Sequence, residues 1–387
     1  MTKINCLNKI SEVGLELFTD QYQQVDAFEE ADAVLVRSAA MHDMEFSENL
    51  AAIARAGAGV NNIPLDRCAQ NGIVVFNTPG ANANGVKELI VAALILGSRD
   101  LLGGNQWVLD NKKDQDILKS MEKAKSKFAG KEIQGKKLGI IGLGAIGVLV
   151  ANAAVGLGME VYGYDPFLSV NNALQLSRAV HNAKSREEIY KECDYITLHV
   201  PAINDTKEMI NETTLSQMKD GVVILNFSRD LLVREDDLGA ALASGKVAKY
   251  VTDFPSPAVM KMENVIAFPH LGATTEESED NCAKMAVTEI RDYLEKGIIR
   301  NSVNYPACDP GEVESAGRVV ILHKNAPTLL NQFTNVFSKE NINIENLTNK
   351  SKGDYAVTIM DTAAAVDENA AKELGAITGV YKVRVIA

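Results

Sequence analysis

Short apolar runs alternate with mixed, helix-like stretches along most of the chain. Residues 33–36 (AVLV), 51–56 (AAIARA) and 73–76 (IVVF) lack the every-other-residue alternation of a half-exposed strand. Such runs predict parallel strands covered on both faces. Residues 65–70 between them are helix-like, and residues 85–99 form a long apolar helix expected to bridge to the next domain. The rhythm then becomes more regular. A strand at 137–141, a helix at 148–157 and a strand at 160–164 are followed by strands at 195–200, 222–227, 250–254 and 265–268. A helix over 275–296 returns the chain. Residues 304–311 (NYPACDPG) are rich in turn formers and read as a linker. Beyond it, strands at 318–322, 342–349, 355–361 and 380–386 enclose helices at 328–339 and 368–374. That β-α-β-β-α-β order is the ferredoxin-like split motif.

A chain of 387 residues is too long for one core. The expected fold class is α/β, with two Rossmann-like domains, one flavodoxin-like and one dinucleotide-binding, and a ferredoxin-like domain at the C-terminus. The domains are expected at 1–97 plus 283–310, at 98–282, and at 316–387.

The formal net charge of −12 argues against nucleic acid or an anionic membrane as partner. Residues 112–137 depart from this, with nine lysines against four acids. They read as a solvated helix face or as a cationic rim for an anionic substrate. The five cysteines are scattered, with no C-x-x-C and no metal-ligand spacing, so no metal site is expected. Their pattern suits a reducing cytoplasm. The first residues show no signal-peptide pattern, and the longest apolar run, 89–96, is too short to span a bilayer. A cytoplasmic location is expected.

The chemistry is concentrated at Gly142-Leu143-Gly144-Ala145-Ile146-Gly147, between the strand at 137–141 and the helix that follows. This is the G-x-G-x-x-G arrangement that binds a dinucleotide. The first glycine permits the tight turn, the second lets backbone approach a pyrophosphate, and the third lets helix pack on strand. The helix N-terminus offers N–H groups to the phosphates. Asp165, closing the next strand, is placed to accept from both ribose hydroxyls. Its charge opposes a 2′-phosphate, so the expected cofactor is NAD rather than NADP.

The later strands end at Pro201, Ser228, Asp253 and His270. Ligands of open parallel sheets sit outside the carboxyl ends of the strands, so these residues should share a crevice with the dinucleotide. Oxidation of a 2-hydroxy acid needs a base for the hydroxyl proton and a cation for the carboxylate. His270 suits the first role and Arg229, through its bidentate guanidinium, the second. Most lone histidines are structural, and His42, His181 and His199 are read so.

These residues carry a resemblance. The run Arg55–Asn62 (RAGAGVNN), the run Phe76–Asn82 (FNTPGAN), the glycine fingerprint, Leu225–Arg229 (LNFSR) and Pro269–Thr275 (PHLGATT) together resemble the D-2-hydroxyacid dehydrogenase family over nearly the full length. The third domain resembles an ACT regulatory module. The resemblance implies NAD-dependent oxidation of D-3-phosphoglycerate, the first step of serine biosynthesis. It implies Arg229 and His270 as catalytic residues. It implies a cofactor lining of Thr78, Gly142, Gly144, Ala145, Ile146, Gly147, Asp165, Val200, Pro201, Phe227, Ser228, Asp253, Gly272 and Ala273. Arg55, Gly57, Gly59 and Lys125 are the implied substrate ligands, Gly57 and Gly59 through backbone N–H groups. His323, Asn325 and Asn343 are the implied contacts for a serine effector. A homodimer or homotetramer is expected, with the tail as a separable regulatory and assembly module.

Two departures stand out. The family carries a Glu after the strand of Asp253 that orients the catalytic His, but here the run is Phe254-Pro255-Ser256-Pro257-Ala258. Thr328 stands where the family's effector motif has Gly. The alternatives are a dehydrogenase of another 2-hydroxy acid, of the glyoxylate or 2-oxoglutarate type, and a non-catalytic NAD(H)-sensing protein on the same fold.

Overall fold

The computed structural model describes residues 1–386. Two compact units emerge, one formed by residues 1–82 with the chain from 276 onward, the other by residues 83–275. In the first, five parallel strands form one sheet: β1 (Thr2–Cys6), β2 (Tyr22–Val25), β3 (Ala33–Val36), β4 (Ala52–Arg55) and β5 (Val74–Asn77). Their order, β2-β1-β3-β4-β5, is the flavodoxin-like one. Alternate residues explain the continuous apolar runs. Val34, Ile53 and Val75 enter one core, while Leu35, Ala54 and Phe76 enter another on the opposite face. The helix Glu276–Lys296 covers that second face with Ala283, Val287, Ile290 and Tyr293.

The second unit holds seven parallel strands: β6 (Lys137–Ile141), β7 (Glu160–Tyr164), β8 (His181–Asn182), β9 (Tyr195–Leu198), β10 (Val222–Asn226), β11 (Val247–Thr252) and β12 (Val265–Ala267). The order β12-β11-β10-β9-β6-β7-β8 reverses between β6 and β9. That reversal is the switch point where doubly wound sheets bind ligands. The helix Ala83–Ser98, expected as a bridge, opens this unit instead. Its Ile90 and Leu94 pack into one core with Val150, Val223 and Val251. The lysine-rich stretch forms the helix Ile117–Ala124 and a short 3-10 turn, Lys125–Phe128.

Four antiparallel strands complete the first unit: β13 (Gly317–Lys324), β14 (Ile344–Lys352), β15 (Tyr355–Thr362) and β16 (Val380–Val385), in the order β14-β15-β13-β16. This is the ferredoxin-like arrangement, with helices Leu329–Lys339 and Glu368–Gly375 supplying Phe333, Phe337 and Leu374 to one sheet face. The other face is not free. Val320, Leu322, Val357 and Ile359 join the same core as Phe76, Tyr293 and Tyr305. Each fully buried side chain of this kind contributes about 1.5–3 kcal/mol, so the tail is not the separable module expected. The linker reading also changes. Asn304 takes the amide of Val75 and donates to the carbonyl of Ile73, and the Tyr305 hydroxyl donates to Ala69. Arg318 binds both carboxylate oxygens of Asp361, at 2.5 and 2.9 Å, and donates to the carbonyls of Lys296 and Gly311. Turn formers are visible in the sequence whereas these anchors are not, because Asn304 and Tyr305 bond to residues far away along the chain.

Candidate active site

The fingerprint loop follows β6 at the switch point. Gly142 has φ +97°, and a Cβ there would lie 2.3 Å from the His199 carbonyl oxygen. At Gly147 a Cβ would lie 2.0 Å from the Gly142 oxygen. Protein packing therefore demands both glycines. Gly144 differs, because a Cβ there would meet nothing within 4 Å. The chain's own packing does not require glycine at that point, whereas a pyrophosphate lying against the backbone does. Gly144 also caps the helix Ala145–Gly156, whose N-terminus no side chain occupies. The first-turn N–H groups of Ala145 and Ile146 thus have no capping side chain, the arrangement that suits an anion at a helix N-terminus. Asp165 accepts from the amides of Leu143 and Phe167, both at 2.8 Å, which fixes its carboxylate beside this loop. The residues present fit an NAD diphosphate and its ribose.

The next loops are built by buried polar groups at strand ends. Asn226, fully buried, donates to the Arg229 carbonyl at 2.8 Å and to the Tyr250 hydroxyl at 3.1 Å, and accepts from the Ser228 amide. Ser228 donates to the Leu198 carbonyl at 2.6 Å, tying the end of β10 to β9. Arg229 is half-buried and donates to the Ser228 carbonyl. Asn226 was not among the expected site residues. The signal was present: it is the one polar residue closing the apolar run VVILN. Phe227 lies in the core against Phe268, ring centroids 6.3 Å apart, and so supports the site from behind. Val200 flanks Gly142, and Pro201 follows it as the chain leaves the β9 end.

Asp253, buried after β11, accepts from the amides of Leu271 at 2.7 Å and Gly272 at 2.8 Å. Burial pushes its carboxyl up, while those amides and the nearby His270 pull the other way. His270 is exposed and sits at φ +58°. Among the described residues no carboxylate bonds its ring; instead the Phe254 ring lies 5.1 Å away at 51°. Ser256 caps the Val259 amide, and Glu263 is exposed. Ala273 packs at the edge of the core beside the fingerprint helix. Because β10 and β12 flank β11 in a parallel sheet, Arg229 and His270 both follow strand ends at the same carboxyl edge. His199, buried behind the fingerprint, meets the Thr197 hydroxyl at 3.0 Å, and burial lowers its ring to about 3. It stays neutral and structural.

The implied substrate residues divide between the units. In the first, Arg55 donates to the Arg37 carbonyl at 2.9 Å, and a Cβ on Gly57 would lie 2.9 Å from its Nη1. The Gly57 amide already donates to the Arg55 carbonyl, leaving Gly59 to offer its amide. Thr78 is fully buried just beyond β5. Lys125 belongs to the other unit, exposed and paired with Glu122. The implied effector residues do not converge within one chain. His323, buried, meets the Lys324 carbonyl and the Thr358 hydroxyl, each at 2.8 Å, so both ring nitrogens are engaged. Asn325 donates to the Gly353 carbonyl. Asn343 precedes Ile344, which pairs with Thr362, whereas His323 pairs with Ala356. The register thus sets Asn343 at the opposite end of the sheet.

Residues 91–272 match the family model described as D-isomer specific 2-hydroxyacid dehydrogenase, NAD binding domain. The chain is similar to D-3-phosphoglycerate dehydrogenase of Haemophilus influenzae, 32% identical over 82% of this chain and 77% of that one. It is 34% identical to the enzyme of the same name from Archaeoglobus fulgidus, over 73% of this chain and 53% of that one. The chain therefore spans about half the length of the archaeal relative. The NAD+-bound 3-phosphoglycerate dehydrogenase of Entamoeba histolytica superposes with a TM-score of 0.63 at 28% identity, covering 78% of this chain and 98% of that one. The chain belongs to the D-isomer-specific 2-hydroxyacid dehydrogenase family, a family of NAD-dependent oxidoreductases, and carries its NAD-binding domain.

Proposed function

We propose that the protein oxidises D-3-phosphoglycerate to 3-phosphohydroxypyruvate with NAD. One observation carries the catalytic reading: Arg229 and His270 stand at the carboxyl edge of the sheet that bears the NAD fingerprint. Arg229 holds the substrate carboxylate through two parallel hydrogen bonds. His270 takes the proton from the C2 hydroxyl, and Asp253 keeps its turn in place. NAD, when bound, supplies the hydride acceptor. Arg55, Gly59 and Lys125 are proposed for the phosphate and carboxylate ends. Residues 1–82 with the return helix are proposed as the substrate-binding domain, 83–275 as the NAD-binding domain, and the chain after 316 as an ACT-like domain. Strand β14 is a mostly exposed edge, which supports homo-oligomer formation through the tail. A serine effector there would need groups from a second copy, because Asn343 and His323 lie apart. Five free cysteines support a reducing, cytoplasmic location.

The test is NADH production with D-3-phosphoglycerate against unphosphorylated 2-hydroxy acids. The phosphorylated substrate is expected to give the highest kcat/KM, and preference for an unphosphorylated acid overturns the substrate assignment. His270→Ala is expected to lower kcat about 10²–10⁴-fold. Arg229→Lys keeps the charge, loses the fork and raises KM. Near-normal turnover in either variant removes that residue from the mechanism.

A further inference from the structure

The helix Glu276–Lys296 shares a cavity of about 590 Å³ with the turn at residues 80–81 and the segment 298–301. Glu289 lines it and is 6% exposed. Its Oε1 accepts from Asn301 at 2.6 Å. Its Oε2 is buried with no hydrogen-bond partner among the described residues. Buried polar groups in native proteins nearly all have partners.

The surrounding cations do not relieve it. Arg300 is engaged by Asp292 at 2.7 Å and by Asp309 at 3.0 Å. Lys296 is engaged by Glu312 at 2.8 Å and Asp292 at 3.6 Å. Asp292 adds its own negative charge beside Glu289. The turn at 80–81 (Gly80, Ala81) brings no charge. Lys284 is exposed at the rim. Of the charged groups lining the cavity, Arg300 is thus already paired with Asp292 and Asp309, which leaves the Glu289 carboxyl within and Lys284 exposed.

We propose that this cavity binds a small molecule carrying a primary ammonium group, which seats on Glu289 Oε2 and supplies its missing donor. Lys284 favours a ligand whose other end is anionic. Burial holds the Glu289 carboxyl at about 8. An ammonium favours the ionised form, so binding below that value releases a proton and tightens with rising pH. The expected gain is up to about tenfold in affinity per pH unit.

The full chain is melted in phosphate buffer with ethanolamine, glycine or sodium acetate, at pH 6 and pH 7 and matched ionic strength. Ethanolamine and glycine are expected to raise Tm, acetate is not, and pH 7 is expected to need up to about tenfold less amine. Glu289→Gln should abolish the shift. Thr288→Trp fills the cavity from an exposed helix position, and should abolish it while leaving NADH production unchanged. If Glu289→Gln does not fold, Thr288→Trp decides. Equal stabilisation by acetate, no shift with either amine, or an undiminished shift in a folded variant overturns the proposal.

Discussion

Asp253 takes the amide of Gly272 at 2.8 Å across the carboxyl edge of the NAD-binding sheet. Its other oxygen takes the amide of Leu271, so the two bonds bracket a turn in which His270 is left-handed. A non-glycine residue there costs about 1–2 kcal/mol, and the carboxylate offsets it. Asp253→Asn sets an NH2 group against one of those amides. Stability should fall by about 1–3 kcal/mol, the cost of a buried unpaired donor. kcat should fall about tenfold or more as the imidazole loses its position. Chemical denaturation and steady-state kinetics measure both. Wild-type kcat in this variant would show that the turn holds itself.

Asp165 has a different task, since its carboxylate is fixed by two backbone amides beside the fingerprint. Asp165→Ala should narrow the NAD over NADP preference in kcat/KM by about tenfold or more. That is the worth of a charge-assisted hydrogen bond of about 1.5–3 kcal/mol. Wild-type protein that used NADP as well as NAD would sink the assignment.

Thr328, which precedes the helix Leu329–Lys339, sits at φ +71° and gives that helix no side-chain cap. A β-branched residue in this region is strained. Thr328→Gly should therefore stabilise the protein by about 1 kcal/mol, after allowing for the extra entropy of glycine in the unfolded chain. The readout is the denaturation midpoint, and a lower midpoint would refute the strain.

Lys382 is half-buried and donates to the carbonyls of Glu48 and Leu50, and desolvation lowers its ammonium to about 8. The unfolded chain keeps that proton to about 10.4. Between these values the unfolded state binds more protons, so this group makes stability rise with pH, from about 8 towards 10. Below 8 its penalty is constant. Lys382→Met should flatten the rise in a denaturation series over that window. An identical slope in both proteins would discard the assignment.

The sheets were legible because their strands are buried on both faces. The runs AVLV and VVILN admit little but a parallel core strand. The tail was legible as well, its turns and helical periods marking six elements. Strands β1 and β2 were not, since Tyr22–Val25 is half polar and lies at the sheet edge. At the site, Gly142, Asp165, Arg229 and His270 announce themselves through position after a strand. Asn226 and the grip of Asp253 did not, because both act on backbone that only the fold brings near. The tail's docking was hidden for a similar reason. A ferredoxin-like sheet has one face covered by its own helices, and residues such as Leu322 do not reveal what covers the other.

That second face has a consequence for how the sequence can change. Leu322 and Ile359 share a core with Phe76, Tyr293 and Tyr305. A substitution in the tail sheet is therefore also a substitution beneath β5, next to Thr78 at the strand's exit. The tail cannot be exchanged for another ferredoxin-like module unless the face under it is rebuilt in step. Drift in a domain that looks appended is bound to drift in the one that is proposed to hold the substrate.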